Sequence, residues 1–161
     1  MSYDIVLDTN VLRHSIDCDD DSKATACLHV VFRILDDDEY SIALDTDGEI
    51  LDEYKRNISK HRGVVAQRLE NTIKKYAFGS HSGQFEWRFP IDEDEVSELA
   101  DRGFHDDDLI FVRTSPKTRS ESIISSDGES IADEEYMEWI EEELGVTVCS
   151  PEDANSEVFD G

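Results

Sequence analysis

Short, wholly apolar runs alternate along this chain with stretches whose apolar residues recur at helical spacing, and that alternation predicts a parallel sheet flanked by helices. Strands are expected near Tyr3–Leu7, Tyr40–Leu44, Ser122–Ser125 and Val146–Cys149. Between the first two, Cys27, Leu28, Val31, Ile34 and Leu35 draw one stripe on a helix over Ala24–Leu35, closed by Asp36-Asp37-Asp38. The connection is long enough for a right-handed βαβ crossover.

After the second strand, Gly48–Ser59 and Val64–Tyr76 read as helices separated at Gly63. A Gly/Ser/aromatic stretch, Phe78–Pro90, reads as a loop or hairpin, followed by short helices over Glu93–Ala100 and Asp106–Thr114. Ile131–Leu144 is a further helix with Met137, Ile140 and Leu144 on one face. No internal repeat is visible. The expected architecture is α/β, three layers α/β/α around a central parallel sheet of four to five strands, as one domain over residues 1–150. From Pro151 the sequence turns to acids, Gly, Ser and Asn, so residues 151–161 are expected to form a flexible acidic tail.

Charge changes this picture. The 161 residues carry 40 acids against 15 bases, nine Arg and six Lys, for a formal charge of −25. The acids are spread throughout and accompany an apolar fraction of 38%, so the chain can build a core and the disorder reading fails. An acidic shell of this kind fits adaptation to molar salt, as in halophilic microbes, where the screening length falls to ~3 Å and local contacts decide partners. Cys18, Cys27 and Cys149 are isolated, with no CxxC spacing, which argues against a disulfide framework or a zinc knuckle. No basic region or apolar leader opens the sequence, and no apolar run approaches the ~18 residues of a membrane span. A soluble cytoplasmic protein is expected.

In so acidic a chain a single Asp says little, and position relative to apolar runs must carry the argument. Open parallel sheets bind ligands beyond the carboxyl ends of their strands. Asp8 and Asp127 both follow apolar strands immediately, in Ile5-Val6-Leu7-Asp8-Thr9-Asn10 and Ile123-Ile124-Ser125-Ser126-Asp127. In the helix after Asp45-Thr46-Asp47-Gly48, the residues Ile50, Leu51, Tyr54 and Ile58 define the buried stripe; Glu53 flanks it, while Glu49 and Asp52 point to solvent. In His105-Asp106-Asp107-Asp108-Leu109-Ile110-Phe111-Val112, Asp108 shares a face with Phe111 and Val112. Any one of these acids is equally well an ordinary cap or a solvated side chain.

Taken jointly and in order, Asp8 with Asn10, then Glu53, Asp108 and Asp127, resemble the four-acid pattern of the PIN-domain nucleases over nearly the whole chain. The crowding by Asp106 and Asp107 leaves the register of the third acid open, and Ser115 stands where the family has a small residue later in that helix. The resemblance implies a small α/β fold with a central parallel sheet, Mg²⁺ or Mn²⁺, and cleavage of single-stranded RNA. Mg²⁺ takes oxygen ligands and keeps several waters, so Asp8, Glu53, Asp108 and Asp127 would hold one or two ions, and the scarcity of histidine argues against zinc. Asn10 and Ser126 are expected to orient ligands, water or phosphate, with turn and cap chemistry as the plain alternative.

Substrate contact needs cations. Seven of the fifteen, Lys55, Arg56, Lys60, Arg62, Arg68, Lys74 and Lys75, lie between Tyr54 and Tyr76 against one acid, Glu70. Arg113, Lys117 and Arg119 form a second cluster placed to hold phosphates beside the metals. Ion pairing with the acidic helices is the competing use. Phe85, Trp87 and Phe89 alternate at strand spacing, and exposed rings there would stack bases, though core packing or a dimer contact is commoner.

Three other readings were weighed. Asp45-Thr46-Asp47-Gly48 resembles the opening motif of haloacid-dehalogenase-type phosphatases, with Asp45 as nucleophile and Asp47 as acid, but the later Lys and paired acids are missing. An EF-hand fails because its first and twelfth positions would be Ala43 and Tyr54. A non-catalytic PIN-like scaffold would dock partners through Glu129–Leu144 and Trp139. Within the nuclease reading, a toxin needing an antitoxin or other protein partner, an RNA-processing factor and a quality-control nuclease all fit, and the resemblance makes a homodimer plausible.

Overall fold

The strand beginning at the third residue, β1 (Tyr3–Leu7), is buried at every position but its first, as expected for a central strand covered on both faces. A computed structural model describes residues 3–77, 84–126 and 131–159. Along these the chain runs α1 (Thr9–Ile16), α2 (Asp21–Asp36), β2 (Tyr40–Asp45), α3 (Glu49–Ile58), α4 (Val64–Ala77) and β3 (Phe85–Arg88). A 3₁₀ turn (Glu93–Val96) leads into α5 (Ser97–Asp101), and a second (Asp106–Asp108) into α6 (Leu109–Thr114). After β4 (Ser122–Ile124) come α7 (Glu134–Leu144), β5 (Thr147–Cys149) and α8 (Pro151–Glu157).

All five strands are parallel, in the order β3-β2-β1-β4-β5, and the eight helices flank the sheet as a three-layer α/β/α fold. The four expected strands form where their apolar runs lie. The fifth, β3, occupies the stretch read as loop or hairpin. It pairs with β2 in parallel, Ile42 opposite Phe85 and Leu44 opposite Trp87, so no hairpin joins them. Chain order reverses at β1, whose neighbours are β2 and β4, and the carboxyl ends of β1 and β4 therefore open onto one crevice.

The core is continuous across the sheet. Val30, Val31, Ile34 and Leu35 of α2 pack there with Ile5 and Leu7 of β1, Leu44 of β2 and Ile123 of β4, each side chain contributing roughly 1.5–3 kcal/mol by leaving water. Asp20 caps α2 by accepting from the Lys23 amide at 3.1 Å, starting that helix three residues before the expected Ala24. A buried ion pair ties the sheet together: Asp4 of β1, fully buried, accepts from Arg88 Nε at 2.8 Å and Nη2 at 3.0 Å, and from the Arg119 amide at 3.0 Å.

The expected flexible tail is not what residues 151–159 form. Ser150 caps α8 through the Asp153 amide at 3.2 Å, with Pro151 in the first turn where its missing N–H is harmless. Ala154 is fully buried, Asn155 Nδ2 donates to the Ala26 carbonyl at 3.2 Å, and Phe159 meets the Tyr40 ring edge-on at 5.0 Å. The acids of this helix face water while two apolar residues lock it onto α2 and β2.

Candidate functional site

Asp8 leaves the end of β1 with its amide donating to the Ile124 carbonyl at 2.9 Å, so β4 delivers Ser125 and Ser126 beside it. The Asp8 carboxylate is 3% exposed, and its Oδ2 accepts from Asn10 Nδ2 at 3.0 Å and Ser125 Oγ at 2.9 Å. Asn10 is oriented in turn, its Oδ1 accepting from the Ser126 amide and hydroxyl, both at 3.1 Å. His14 Nδ1 lies 2.6 Å from Ser126 Oγ. Asn10 and Ser125 thus hold the Asp8 carboxylate directly, and Ser126 acts on it only through Asn10.

A second carboxylate comes from α3. Asp45, fully buried at the end of β2, caps that helix with both oxygens, Oδ2 accepting from the Glu49 amide at 3.1 Å and Oδ1 from Ile50 at 2.8 Å. Gly48 makes the entry feasible by adopting φ +81°, a conformation that strains residues with a Cβ. One turn on, the buried Tyr54 donates from its hydroxyl to the Leu7 carbonyl at 2.5 Å, pinning α3 against the end of β1. Glu53, its neighbour, is half-buried at that junction. Burial raises its pKa, and Asp108 raises it next most; Thr9 favours the charged form, Asp107 opposes it, and Arg56 favours it again.

Of the three consecutive acids, Asp108 raises the Glu53 carboxyl more than Asp107 does, whereas Asp106 and Asp107 are the two that line the neighbouring cleft. Asp108 closes the 3₁₀ turn at the start of α6, whose buried Ile110, Phe111 and Val112 fix it in place. Asp127 lies outside the described residues. Asp106, Asp107, Glu49, Glu53, Arg56 and Arg113 line a cleft of about 530 Å³ that opens this junction to solvent. Glu49 is also raised, by burial first and Asp45 second.

Thr9, unremarked in the sequence, is the singular residue here. Its Oγ1 is buried and, among the described residues, is the one buried side-chain polar atom lacking a hydrogen-bond partner. Glu53 is the carboxylate near it, and the hydroxyl favours the charged form of that group. Oxygen donors, a massed negative charge and an unused hydroxyl suit a hard divalent cation. Among the described residues the three acidic groups whose ligand atoms come within 4.8 Å of one another are instead Asp45, Asp47 and Glu49, where Asp45 is already occupied by two amides.

The cations divide. Arg56 and Arg113 line the cleft, Arg113 also donating to the Ile91 carbonyl at 2.8 Å. Lys60 lines a neighbouring cavity between α1 and α3, and Arg62 is exposed just beyond it. Lys55 faces a different hollow, between α3 and α4. Arg119, expected beside the metals, leads into β4 with its amide on Asp4, at the sheet's opposite, amino-terminal end; Lys117 lies two residues before it. Arg68 and Lys74 are taken up in ion pairs with Asp36 and Glu70. Burial pushes the thiols of Cys27 up to about 11 and Cys149 up to about 12, leaving both protonated. Compared with known proteins, the chain matches no family model, no curated sequence and no solved structure.

Three residues of this site escaped the sequence reading. Ser125 follows from the register, since Leu7 opposite Ile124 puts Ser125 opposite Asp8. His14 lies one helical turn past Asn10, on a helix the strand pattern did not announce. Thr9 could be noticed only once its burial was known.

Proposed function

We propose that this protein is a metal-dependent endoribonuclease hydrolysing phosphodiester bonds of single-stranded RNA, with activity suited to molar salt. The reading rests above all on one observation: the buried Asp8 carboxylate is held by Asn10 and Ser125 at the carboxyl end of the central strand, where open parallel sheets bind ligands. Thr9 and Glu53 stand next to each other, and Asp108 acts on Glu53. Asp8, Glu53 and Asp108, with Asp127 from the sequence pattern, would hold Mg²⁺ or Mn²⁺. Such an ion supplies charge for the phosphate and eases deprotonation of water.

The chain's own groups perform the rest. Asn10 and Ser125 keep Asp8 from rotating away, so its oxygens meet the crevice in a fixed direction. Glu53, whose carboxyl is raised by burial and by Asp108, would have to be ionised to hold a cation, so occupancy would depend on pH. Arg56 and Arg113, the latter 3.8 Å from Glu93, bring positive charge to a cleft whose other charged residues are acids, where a phosphate backbone would lie. The engagement of both Asp45 oxygens with backbone amides supports this reading over a phosphatase that uses Asp45 as nucleophile.

The test is cleavage of labelled single-stranded RNA in molar KCl with Mn²⁺ or Mg²⁺, using wild type, Asp8→Asn and Asp127→Asn, with p-nitrophenyl phosphate as control. Metal-dependent cutting that both variants lose is expected. Phosphatase activity sensitive to Asp45, or no activity in folded protein, overturns the proposal in favour of the phosphatase or of a binding scaffold.

A further inference from the structure

Beyond the acidic cleft lies a second cavity, about 550 Å³, between α1, the turn after it and the end of α3. Its lining has a different chemistry. Arg13 and Lys60 face it, together with His14, Asn57 and His61, which offer neutral donors. Among the described residues neither Arg13 nor Lys60 makes an ion pair, whereas Arg33, Arg68, Lys74, Arg88, Arg102 and Arg113 each do. Lys23, Lys55, Arg56, Arg62 and Lys117 likewise make no ion pair among the described residues; what sets Arg13 and Lys60 apart is that they face one cavity together.

Helix geometry joins this cavity to the acidic junction. On α1, His14 stands four residues after Asn10 and Arg13 four after Thr9; on α3, Asn57 stands four after Glu53 and donates to its carbonyl at 2.8 Å. Each step is about one turn, ~5.4 Å along the axis, so His14, Arg13 and Asn57 lie one turn further along the same helix faces than Asn10, Thr9 and Glu53. A chain of hydrogen bonds connects the two directly: His14 to Ser126 at 2.6 Å, Ser126 to Asn10 at 3.1 Å, Asn10 to Asp8 at 3.0 Å. Asp17, Asp19 and Asp20 line the same cavity from the turn after α1. They would repel any further phosphate and mark where the track ends.

We infer that this groove is a subsite for single-stranded RNA, holding a phosphate next to the scissile one through Arg13 and Lys60, with His14, Asn57 and His61 as hydrogen-bond donors. The inference deepens the nuclease reading and rests on it for the identity of the strand. Its own content is a binding site that does not need the metal. His14 acts as a positioning residue, linking the bound phosphate to the Ser126–Asn10–Asp8 chain.

The test is anisotropy of a labelled eight-nucleotide single-stranded RNA in chelator, over a KCl series, with cleavage in Mn²⁺ measured in parallel. Wild type is compared with Arg13→Gln/Lys60→Gln, Asp8→Asn, and Arg33→Gln/Arg102→Gln, which removes the same charge elsewhere; circular dichroism confirms folding. The groove variant is expected to bind about tenfold more weakly and to flatten the salt slope by about 0.7, for the one phosphate held. R33Q/R102Q should bind as wild type does, and D8N should lose cleavage while still binding. Unchanged affinity and slope in R13Q/K60Q, with cleavage intact in wild type, overturns the subsite and leaves the nuclease standing. Binding lost in R13Q/K60Q, with no cleavage by wild type, upholds the subsite while the nuclease fails. Stabilisation of wild type by inorganic phosphate that R13Q/K60Q abolishes, with RNA affinity unmoved, also overturns it, since the site would then serve free phosphate.

Discussion

Replacing Asn10 with alanine probes the Asp8 scaffold at its centre. The side chain is 6% exposed and makes three contacts: it donates to Asp8 Oδ2 at 3.0 Å and accepts from the amide and hydroxyl of Ser126 at 3.1 Å. In N10A the Ser126 hydroxyl can turn to His14, so it contributes little. The Asp8 carboxylate loses a charge-assisted bond, about 1.5–3 kcal/mol, and the buried Ser126 amide loses its acceptor, another ~1–3 kcal/mol. The sum is about 2.5–6 kcal/mol, which for a chain of 161 residues lowers the melting temperature by roughly 5–25 °C. Ser125→Ala removes one donor to the same oxygen and should cost about 2 kcal/mol. Urea unfolding in chelator at fixed KCl measures both. Titration calorimetry with Mn²⁺ should then show N10A weaker by about 10–100-fold, because Asp8 is no longer oriented. An N10A protein within ~1 kcal/mol of wild type, or one that binds Mn²⁺ as tightly, would refute the claim that Asn10 holds Asp8.

Thr9→Val removes an unsatisfied buried hydroxyl at constant shape, so in chelator the variant should be more stable by about 1 kcal/mol, while the stabilisation given by Mn²⁺ shrinks; a destabilised T9V would show that the hydroxyl has a protein partner. Glu53 has its pKa raised in the folded state, so its ionisation opposes folding as pH rises above the ordinary glutamate value of 4.5. Metal-free Glu53→Gln should therefore melt above wild type at neutral pH, with the gap closing as pH falls below that value; a constant gap across pH would contradict the assignment. Phe159→Ala, at the end of α8, should lower stability by about 3 kcal/mol, whereas a frayed tail would leave the melting curve unmoved.

How much of this was readable beforehand follows from where the information sits. The strands β1, β2, β4 and β5 are continuous apolar runs, and no other local structure accounts for them. β3 hides because Phe85 is buried while Trp87 is 41% exposed, and the stretch before it is rich in Gly and Ser. α8 hides because composition averages over its acids, although Ser150 and Pro151 together form a helix start that position alone would reveal. Asp8, Asn10, Glu53 and Ser126 were legible as neighbours of apolar runs. Ser125, Thr9 and His14 were not, since their roles depend on which strand lies beside which, a property of pairing between distant segments. Asp45 illustrates the converse: a nucleophile motif and a helix cap share the same letters, and only the two amides above its oxygens distinguish them.

The Arg88–Asp4 pair has a consequence for how this acidic molecule meets dilution. Interactions exposed to solvent feel every change of ionic strength, whereas a fully buried carboxylate gripped at 2.8 and 3.0 Å is shielded from mobile ions. That clasp fastens β3, at one margin of the sheet, to its centre. The other margin carries α7, whose Glu134, Glu135, Glu138, Glu141, Glu142 and Glu143 have no basic residue among them. The two flanks thus differ in their dependence on salt. One is riveted internally, while on the other six glutamates repel one another, with Arg102 3.9 Å from Glu135. Lowering the ionic strength should therefore loosen the β5–α7 side more than the β3 side.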